Sequence, residues 1–313
     1  PKLMLPGILI SLTYIKTKNY KKAFKNALIV QQSHPDKPEG FTLEGIIHAL
    51  ENQPEKAKAA FAKAYQINPG DTNSGVNLAR YAINNKQYSK ARTFYQQILK
   101  KNPDSFGTIT LLAKLELSLN RTPDALNLLN KKLSEYPEAD KVRELLVRIY
   151  HSQDEYQKVL QLTKQLSENN ITQYPSLLEF RGKAQIQSGK IKDAITSFKQ
   201  LVFQFPASSV AHFMLARAYL QNNELPEALS ETQQSTRLKP DYLQARLAEI
   251  KLLAFNNKNQ QAEQRVKILH TDFKDNLKIN STAAWLAMRL GNYDEAYKQY
   301  KIIAKKQANT DIT

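Results

Sequence analysis

Apolar side chains recur along this chain in paired stripes, and most pairs are followed by a proline. Residues 76–83 place apolar side chains on one side of a predicted helix, and residues 88–99 do the same for a second helix. The polar turn 85–87 separates the two stripes, and Pro103 follows the second one. Apolar positions three and four residues apart indicate amphipathic helices, and proline cannot continue a helix. The pattern therefore predicts a helix, a short turn and a second helix.

This helix-turn-helix pattern returns every 34 residues, with one step of 35 after the fifth repeat. Nine repeats fit the chain: 4–37, 38–71, 72–105, 106–139, 140–173, 175–208, 209–242, 243–276 and 277–310. An equivalent small or β-branched residue of the second helix marks the register: Ala23, Ala57, Ala91, Ala125, Val159, Ala194, Ala228, Ala262 and Ala296. A small side chain there lets two helix axes approach to about 8–10 Å.

The register predicts a single array over residues 1–313. A subdivision into 4–173 and 175–310 is a further hypothesis, with a hinge near 167–175. That segment carries the single insertion and lacks the terminating proline, so a longer loop explains it equally well.

The period and the residues at its signature positions resemble the tetratricopeptide repeat. Residues 291–296 (GNYDEA) and the residues Phe61, Ala64 and Pro69 fall at the signature spacings of that family. Departures occur at Val159, Ile171 and Lys274. The resemblance implies an all-α, right-handed superhelical solenoid of about eighteen helices, without catalytic activity, whose first helices line a concave groove. The pentatricopeptide RNA readers are a neighbouring alternative, but their period is commonly 35 and they lack this signature.

A narrower resemblance concerns three short segments of the sequence. Residues 78–80, 91–99 and 238–246 are similar to the PEP-CTERM-system repeat lipoproteins of the bacterial envelope, which are associated with exopolysaccharide loci. This resemblance implies a periplasmic or envelope location and a role in an exopolysaccharide or protein-sorting assembly. A cytoplasmic location is the alternative. Terminal repeats need a polar outer face, whereas the first repeat opens on apolar residues, so we also expect further repeats in the full-length chain.

The amino-acid composition excludes several kinds of functional site and favours one kind of partner. The chain has 45 Lys and Arg against 29 Asp and Glu, a net charge of +16 and no cysteine. The lack of cysteine excludes disulfides, Cys-ligated zinc and thiol nucleophiles. The longest nearly apolar run, residues 3–15, is shorter than the ~20 residues that cross a bilayer, so no transmembrane segment is predicted. The excess of positive charge favours an acidic partner.

No catalytic, metal-binding or cofactor-binding pattern stands out, so we expect a protein that is not an enzyme and has no cofactor. The nine glycines never form a phosphate-binding loop. The histidines are scattered over different repeats. His48 and His212 fall at positions where the repeat carries core side chains, which predicts packed, hydrogen-bonded rings in place of metal ligands.

Part of the positive charge recurs at one equivalent position of successive repeats. The resemblance implies that the ninth position of each repeat faces the groove, and Leu12 and Ile46 occupy it in the first two repeats. The later repeats place there the candidate ligand-binding residues Arg80, Lys114, Arg148, Lys183, Arg217, Lys251 and Trp285. The six cationic members are called the basic row below. Long cationic side chains can also simply cover apolar neighbours, which is the alternative explanation.

Two members of the basic row have an acidic residue four positions earlier, Glu144 before Arg148 and Glu179 before Lys183. This order favours ion pairs on a helix, so the other four members are expected to carry the available charge. We therefore expect a scaffold that binds a protein or an anionic ligand such as an acidic peptide. Direct binding of an anionic polysaccharide is one alternative. Nucleic acid is a less favoured one, because the aromatic residues fall mostly at core positions.

Overall fold

The computed structural model describes residues 4–273 and 276–310, and these ranges contain nineteen helices and no strand. In chain order they are α1 (Met4–Lys16), α2 (Tyr20–Ser33), α3 (Glu39–Leu50), α4 (Pro54–Ile67), α5 (Thr72–Asn84), α6 (Tyr88–Lys101), α7 (Phe106–Ser118), α8 (Thr122–Glu135), α9 (Asp140–Ser152), α10 (Tyr156–Leu162), α11 (Glu168–Gln173), α12 (Pro175–Gln187), α13 (Ile191–Gln204), α14 (Ser209–Gln221), α15 (Leu225–Leu238), α16 (Leu243–Phe255), α17 (Asn259–Asp272), α18 (Leu277–Arg289) and α19 (Tyr293–Thr310). The predicted all-α fold is confirmed. None of the helices in these ranges is both long and apolar enough to cross a membrane.

Eight of the nine repeats consist of two helices, and the fifth has three. Its second helix ends early, at Leu162, and a separate short helix, α11, begins at Glu168. A capping box starts α11: Ser167 N donates to Asn170 Oδ1 at 2.8 Å, and Asn170 N donates to Ser167 Oγ at 3.2 Å. Such reciprocal bonds satisfy the free N–H groups at the start of a helix. The break raises the total from about eighteen helices to nineteen.

The turn between the two helices has the same backbone conformation in every repeat. The residue at the fifteenth position has a left-handed φ, between 57° and 74°, at Lys18, Asn52, Lys86, Asn120, Asp154, Gly189, Asn223, Asn257 and Gly291. Seven of these nine are Gly, Asn or Asp, the residue types that adopt this conformation most easily. The next N–H then closes the turn, as where Gln87 N donates to Ala82 O at 2.8 Å. Local sequence thus determines each turn.

Small side chains allow the paired helices to pack closely. The alanines that mark the register are all at most 4% exposed. Glycine serves the same purpose on the facing helix in two repeats. A Cβ added to Gly45 would lie 2.6 Å from the ring of Phe61, and one added to Gly182 would lie 2.5 Å from the ring of Phe198. These contacts confirm that the marked positions lie between the helices of a pair.

The chain divides into two compact units, Pro1–Leu146 and Val147–Thr313. The division falls inside α9. The segment 167–175, where the sequence suggests a hinge, lies within the second unit, together with the short helix α11. The core of the second unit is one large apolar cluster centred on residues such as Phe198, Ile250 and Leu253. The first unit has smaller clusters, one of them around Ala91 and Tyr95.

The close packing predicts a large difference between neighbouring positions of α6. Replacing Ala91, which is fully buried, by leucine should overpack the helix pair and lower the free energy of unfolding by about 1–3 kcal/mol. The same change at exposed Lys90 should alter it by no more than about 0.5 kcal/mol. Urea unfolding of both variants measures the difference. Equal losses would contradict the repeat register.

Candidate ligand-binding site

The basic row lies on the first helix of each repeat, directly after a buried residue. Arg80 and Lys114 are exposed in the first unit, where their preceding neighbours Ala79 and Ala113 are fully buried. One residue corresponds to about 100° of rotation around a helix, so the ninth position turns away from the paired helix. In the second unit Arg148, Arg217 and Lys251 are exposed, and Lys183 and Trp285 are half-buried. The packing therefore keeps the row accessible to a ligand in both units.

The charges of the row differ in how far they are neutralised. Lys183 Nζ lies 2.5 Å from Glu179 Oε1, which is the ion pair that the four-residue spacing predicts. Within residues 4–273 and 276–310, Arg80, Lys114, Arg217 and Lys251 form no ion pair with an acidic side chain. The guanidinium of Arg80 does donate a hydrogen bond to the neutral amide of Asn77. These four side chains therefore offer uncompensated positive charge.

Aromatic rings lie against three members of the row. The Phe180 ring has the Arg148 guanidinium 5.5 Å and the Lys183 ammonium 5.2 Å from its centroid. The Lys251 ammonium lies 5.7 Å from the Trp285 ring, and Phe255 meets that ring edge-on at 5.6 Å. Such contacts hold a cation in place while leaving it charged.

Trp285 both packs into the core and lies beside the basic row. Its ring is half-buried and packs against the apolar core of the second unit, and its remaining surface lies beside Lys251. The aromatic contacts of the row were missed by the sequence analysis. The one available signal was local: Phe180 lies three residues before Lys183, on the same side of α12.

The first unit has an apolar cavity beside the row. It has a volume of about 650 Å³ and lies between α3, α4 and α5. Ile46 and Leu50 of α3 and Phe61 of α4 supply apolar walls, and Arg80 and Tyr81 of α5 belong to the polar lining. Apolar cavities with a few polar groups are typical binding sites for side chains or small molecules. The cavity can accept an apolar group next to the positive charge of Arg80.

The second unit has a smaller and more polar cavity of about 240 Å³. It is lined by residues of α9, α12, α13 and α14, namely His151, Lys183, Ile186, Gln187, Phe198, Met214 and Arg217. Two members of the basic row, Lys183 and Arg217, thus share one cavity. His151 is not among the site residues that the sequence predicts. Its place on the first helix of the fifth repeat, three residues after Arg148 of the basic row, was the signal that could have found it.

The pKa of the histidine in this cavity is lowered by its surroundings. Burial lowers the pKa of His151, and the nearby positive charge of Lys183 lowers it further, against the opposing effect of Asp154 and Glu179. Its Nε2 atom is buried and has no hydrogen-bond partner. The ring itself packs against Phe180, with 5.0 Å between the centroids.

His212 behaves as the sequence predicts. It is 7% exposed, its Nδ1 lies 2.6 Å from Glu231 Oε2, and its Nε2 lies 3.0 Å from the carbonyl oxygen of Pro206. His48 is packed as predicted, with its ring tilted against Phe24, but its buried Nδ1 has no hydrogen-bond partner in the described residues. In the described part of the chain, no three His, Asp or Glu side chains are grouped to hold a metal ion.

Comparison with known proteins identifies the repeat. Tandem pairs of packed helices place the chain in the class of helical-repeat proteins. Within this class, tetratricopeptide repeat families match residues 48–115 and residues 181–242. These two parts of the chain are therefore tetratricopeptide repeats. The narrower resemblance to PEP-CTERM-system lipoproteins stays a prediction.

The similar curated proteins carry the same repeat. Tetratricopeptide repeat protein 7B of human and mouse is 32% identical over 97 residues, which are 31% of this chain and 11% of that protein. Tetratricopeptide repeat protein 21A of mouse is 21% identical over 96% of this chain and 25% of its own length. The chain thus spans only a small part of these relatives.

Two solved structures give matches of low identity. The Cut9–Hcn1 complex of the APC/C has 15% identity and a TM-score of 0.49, covering 79% of this chain and 48% of that one. A tetratricopeptide repeat protein from Parabacteroides merdae also has 15% identity, with a TM-score of 0.45 and coverage of 80% and 99%. Neither match assigns a ligand to the present chain.

Proposed function

We propose that this chain is a non-catalytic scaffold that binds an acidic segment of a partner protein along the exposed side of its first helices. The observation that carries the proposal is the basic row, six cations at one equivalent position of consecutive repeats, four of them without an ion pair in the described residues. Repeat proteins present extended surfaces on which such equivalent positions can act together. Cavities beside Arg80 and beside Arg217 give the surface room for partner side chains.

The cellular setting is a separate part of the proposal. A periplasmic or envelope location, within an exopolysaccharide or protein-sorting assembly, rests on the sequence resemblance alone. Its test is the reading frame upstream of residue 1. A signal peptide followed by a lipid-attachment cysteine would support an envelope location, and a full-length protein without an export signal would contradict it.

Titration with peptides tests the binding function. A peptide of alternating Glu and Gly residues should bind, and its affinity should fall as salt concentration rises, because the basic row is mostly solvent-exposed. The control is the same peptide with every Glu replaced by Gln, which should not bind. Isothermal titration at two ionic strengths measures both.

Two competing ligands belong in the same experiment. Direct binding of an anionic polysaccharide predicts that an oligomer of galacturonic acid binds more tightly than the acidic peptide. Nucleic-acid binding predicts the same advantage for single-stranded DNA. Tighter binding of either ligand would contradict a protein partner and favour that ligand class in its place. Equal affinity for the Glu and Gln peptides would contradict any proposal based on charge.

A further inference from the structure

We infer that the outer side of the first three repeats, formed by α2, α4 and α6, is a docking surface for an anionic lipid membrane. The inference goes beyond the proposed function, because it concerns the second helices of the repeats and a partner of a different kind. It rests on a second set of equivalent cations, which are not part of the basic row. These are Lys22, Lys56 and Lys90, called the outer lysines below.

The first and second helices of these repeats form separate layers. α1 contacts α3, and α3 contacts α5, so the first helices of successive repeats lie against each other. In the described part of the first unit no comparable contact joins α2, α4 and α6, each of which packs against first helices instead. The second helices therefore present their outer sides to a large partner, away from the helices that carry the basic row.

The outer lysines occupy one equivalent place in three successive repeats. Each is the third residue of its helix, and all three are exposed. None of them forms an ion pair with an acidic side chain in the ranges that the structure describes. A second exposed lysine lies on the same side of each helix, three, seven or eleven residues after the outer lysine: Lys25, Lys63 and Lys101. The surface thus has two uncompensated cations on each helix.

The three helices are strongly basic as a whole. α2 has three basic residues, α4 has three and α6 has four, whereas their only acidic residue is Glu55. Lys58 lies 4.0 Å from Glu55, and Arg92 lies 2.6 Å from Glu116 of α7, so these two charges are compensated. The other basic residues of α2, α4 and α6 have no acidic partner among the described residues. The surface therefore attracts a partner with many negative charges.

The outer lysines lie where the helix itself favours the opposite charge. Unpaired N–H groups at the start of a helix carry partial positive charge, which favours Asp or Glu in the first turn and disfavours Lys. The third residues of four later second helices follow this rule: Asp124, Asp193, Glu227 and Glu295. The one later lysine at this place, Lys158, lies 3.3 Å from Glu155. Unpaired lysines at three successive helix starts are thus unfavourable for local stability, which favours a role in binding.

The surface fits lipid headgroups better than nucleic acid. Leu28 and Ile29 are 36% and 47% exposed, and they lie on the side of α2 that carries Lys25. Lysines beside exposed apolar side chains are typical of elements that lie at the surface of an anionic bilayer. The aromatic rings of α2, α4 and α6 are all buried or half-buried, so nucleic-acid bases find no ring on which to stack.

Flotation with lipid vesicles tests the inference. Vesicles made of equal parts of phosphatidylcholine and phosphatidylglycerol should bind the chain, and binding should fall as salt concentration rises, because the lysines are exposed. Vesicles of phosphatidylcholine alone should not bind, since their surface has no net charge. Equal binding to both kinds of vesicle, or no binding to the anionic one, would overturn the inference.

Changing the three outer lysines together to glutamine should weaken binding to the anionic vesicles about a hundredfold, because each lysine near an anionic surface contributes about fivefold. The matched control changes Lys192, Lys199 and Lys267 to glutamine. These are exposed lysines on second helices of the second unit, so the two variants have the same net charge. The control should bind as the wild type does. Equal losses would mean that total charge attracts the vesicles, and the assignment to this surface would be wrong.

The apolar contact has a variant of its own. Changing Leu28 and Ile29 to serine leaves the charge unaltered and should weaken vesicle binding several-fold, because less apolar surface enters the bilayer interface. Unchanged binding would contradict the contact of these two residues with lipid.

Thermal unfolding separates a lost contact from a lost fold. The outer-lysine variant should unfold at the same temperature as the wild type or slightly above it, because three charges that oppose the helix dipoles are removed. Lower unfolding temperatures would contradict the argument that these lysines are unfavourable for the fold.

Two comparisons separate this inference from the other readings of the charge. The variant of Arg80, Lys114, Arg217 and Lys251 to glutamine should keep vesicle binding and lose affinity for the acidic peptide, and the outer-lysine variant should do the reverse. Loss of vesicle binding in the first variant alone would overturn the inference and leave the proposed function intact. A wild type that binds vesicles but no acidic peptide would overturn the proposed function alone. Double-stranded DNA that binds more tightly than the vesicles, and depends on the outer lysines, would assign the surface to nucleic acid instead.

Discussion

Changing Arg80, Lys114, Arg217 and Lys251 together to glutamine is expected to weaken binding of an acidic peptide between about fivefold and several hundredfold. An exposed charge contact is worth about 0.2–1 kcal/mol, so four of them sum to about 1–4 kcal/mol. No single substitution should abolish binding, because contacts along one tethered ligand reinforce each other through effective concentration. The free energy of unfolding should change by no more than about 0.5 kcal/mol per site, since the four side chains lie outside the core. Isothermal titration and urea unfolding measure the two quantities.

The control for this prediction comes from the second unit. The pair Arg217 and Lys251 forms no ion pair in the described residues, whereas Lys183 is bound to Glu179 and Arg148 lies over the Phe180 ring. Changing the first pair should therefore cost more affinity than changing Arg148 and Lys183. The difference should shrink at high salt, where exposed charges are screened. Equal losses for the two pairs, without salt dependence, would mean that the row only covers apolar neighbours.

Replacing Phe198 by alanine should lower the free energy of unfolding by about 3–5 kcal/mol. Its side chain is 1% exposed, packs against Gly182 and belongs to the largest apolar cluster of the second unit. The loss of the ring removes buried apolar surface and leaves a hole that the rigid helix pairs cannot close. Phe203→Ala on the same helix is the matched control, because Phe203 is 79% exposed and its loss should change stability by no more than about 0.5 kcal/mol. Similar losses for both variants in urea unfolding would contradict the burial of Phe198 and the exposure of Phe203.

The repeat architecture was predictable because its causes are local. A left-handed turn residue, a small residue between the paired helices and a terminating proline each act within one repeat of 34 residues. The same register also predicted the exposure of Arg80 and Lys114, since the ninth position follows a buried small residue. The Glu179–Lys183 pair was predictable for the same reason: its partners are four residues apart on one helix.

The break in the fifth repeat was only partly predictable. The sequence shows an insertion at residue 174 and Ile171 in place of the terminating proline, which indicates an irregular end. That Leu162 ends one helix and that Ser167 caps another depends on a competition between continuing the helix and capping a new one. Such a competition involves small free-energy differences, which the packing of neighbouring helices can reverse.

The sequence by itself thus determined the helix pairs, their turns and the basic row, because each depends on residues close together in the chain. Only the tertiary structure decided which side chains of different repeats meet. His151 shares a cavity with Lys183 and Arg217, and Phe255 meets Trp285, although these residues lie about one or two repeats apart. Spacing can assign them to one side of the array. Whether they touch depends on the crossing of the packed helices and on the rotamers of large side chains, which the buried contacts of the whole unit determine together.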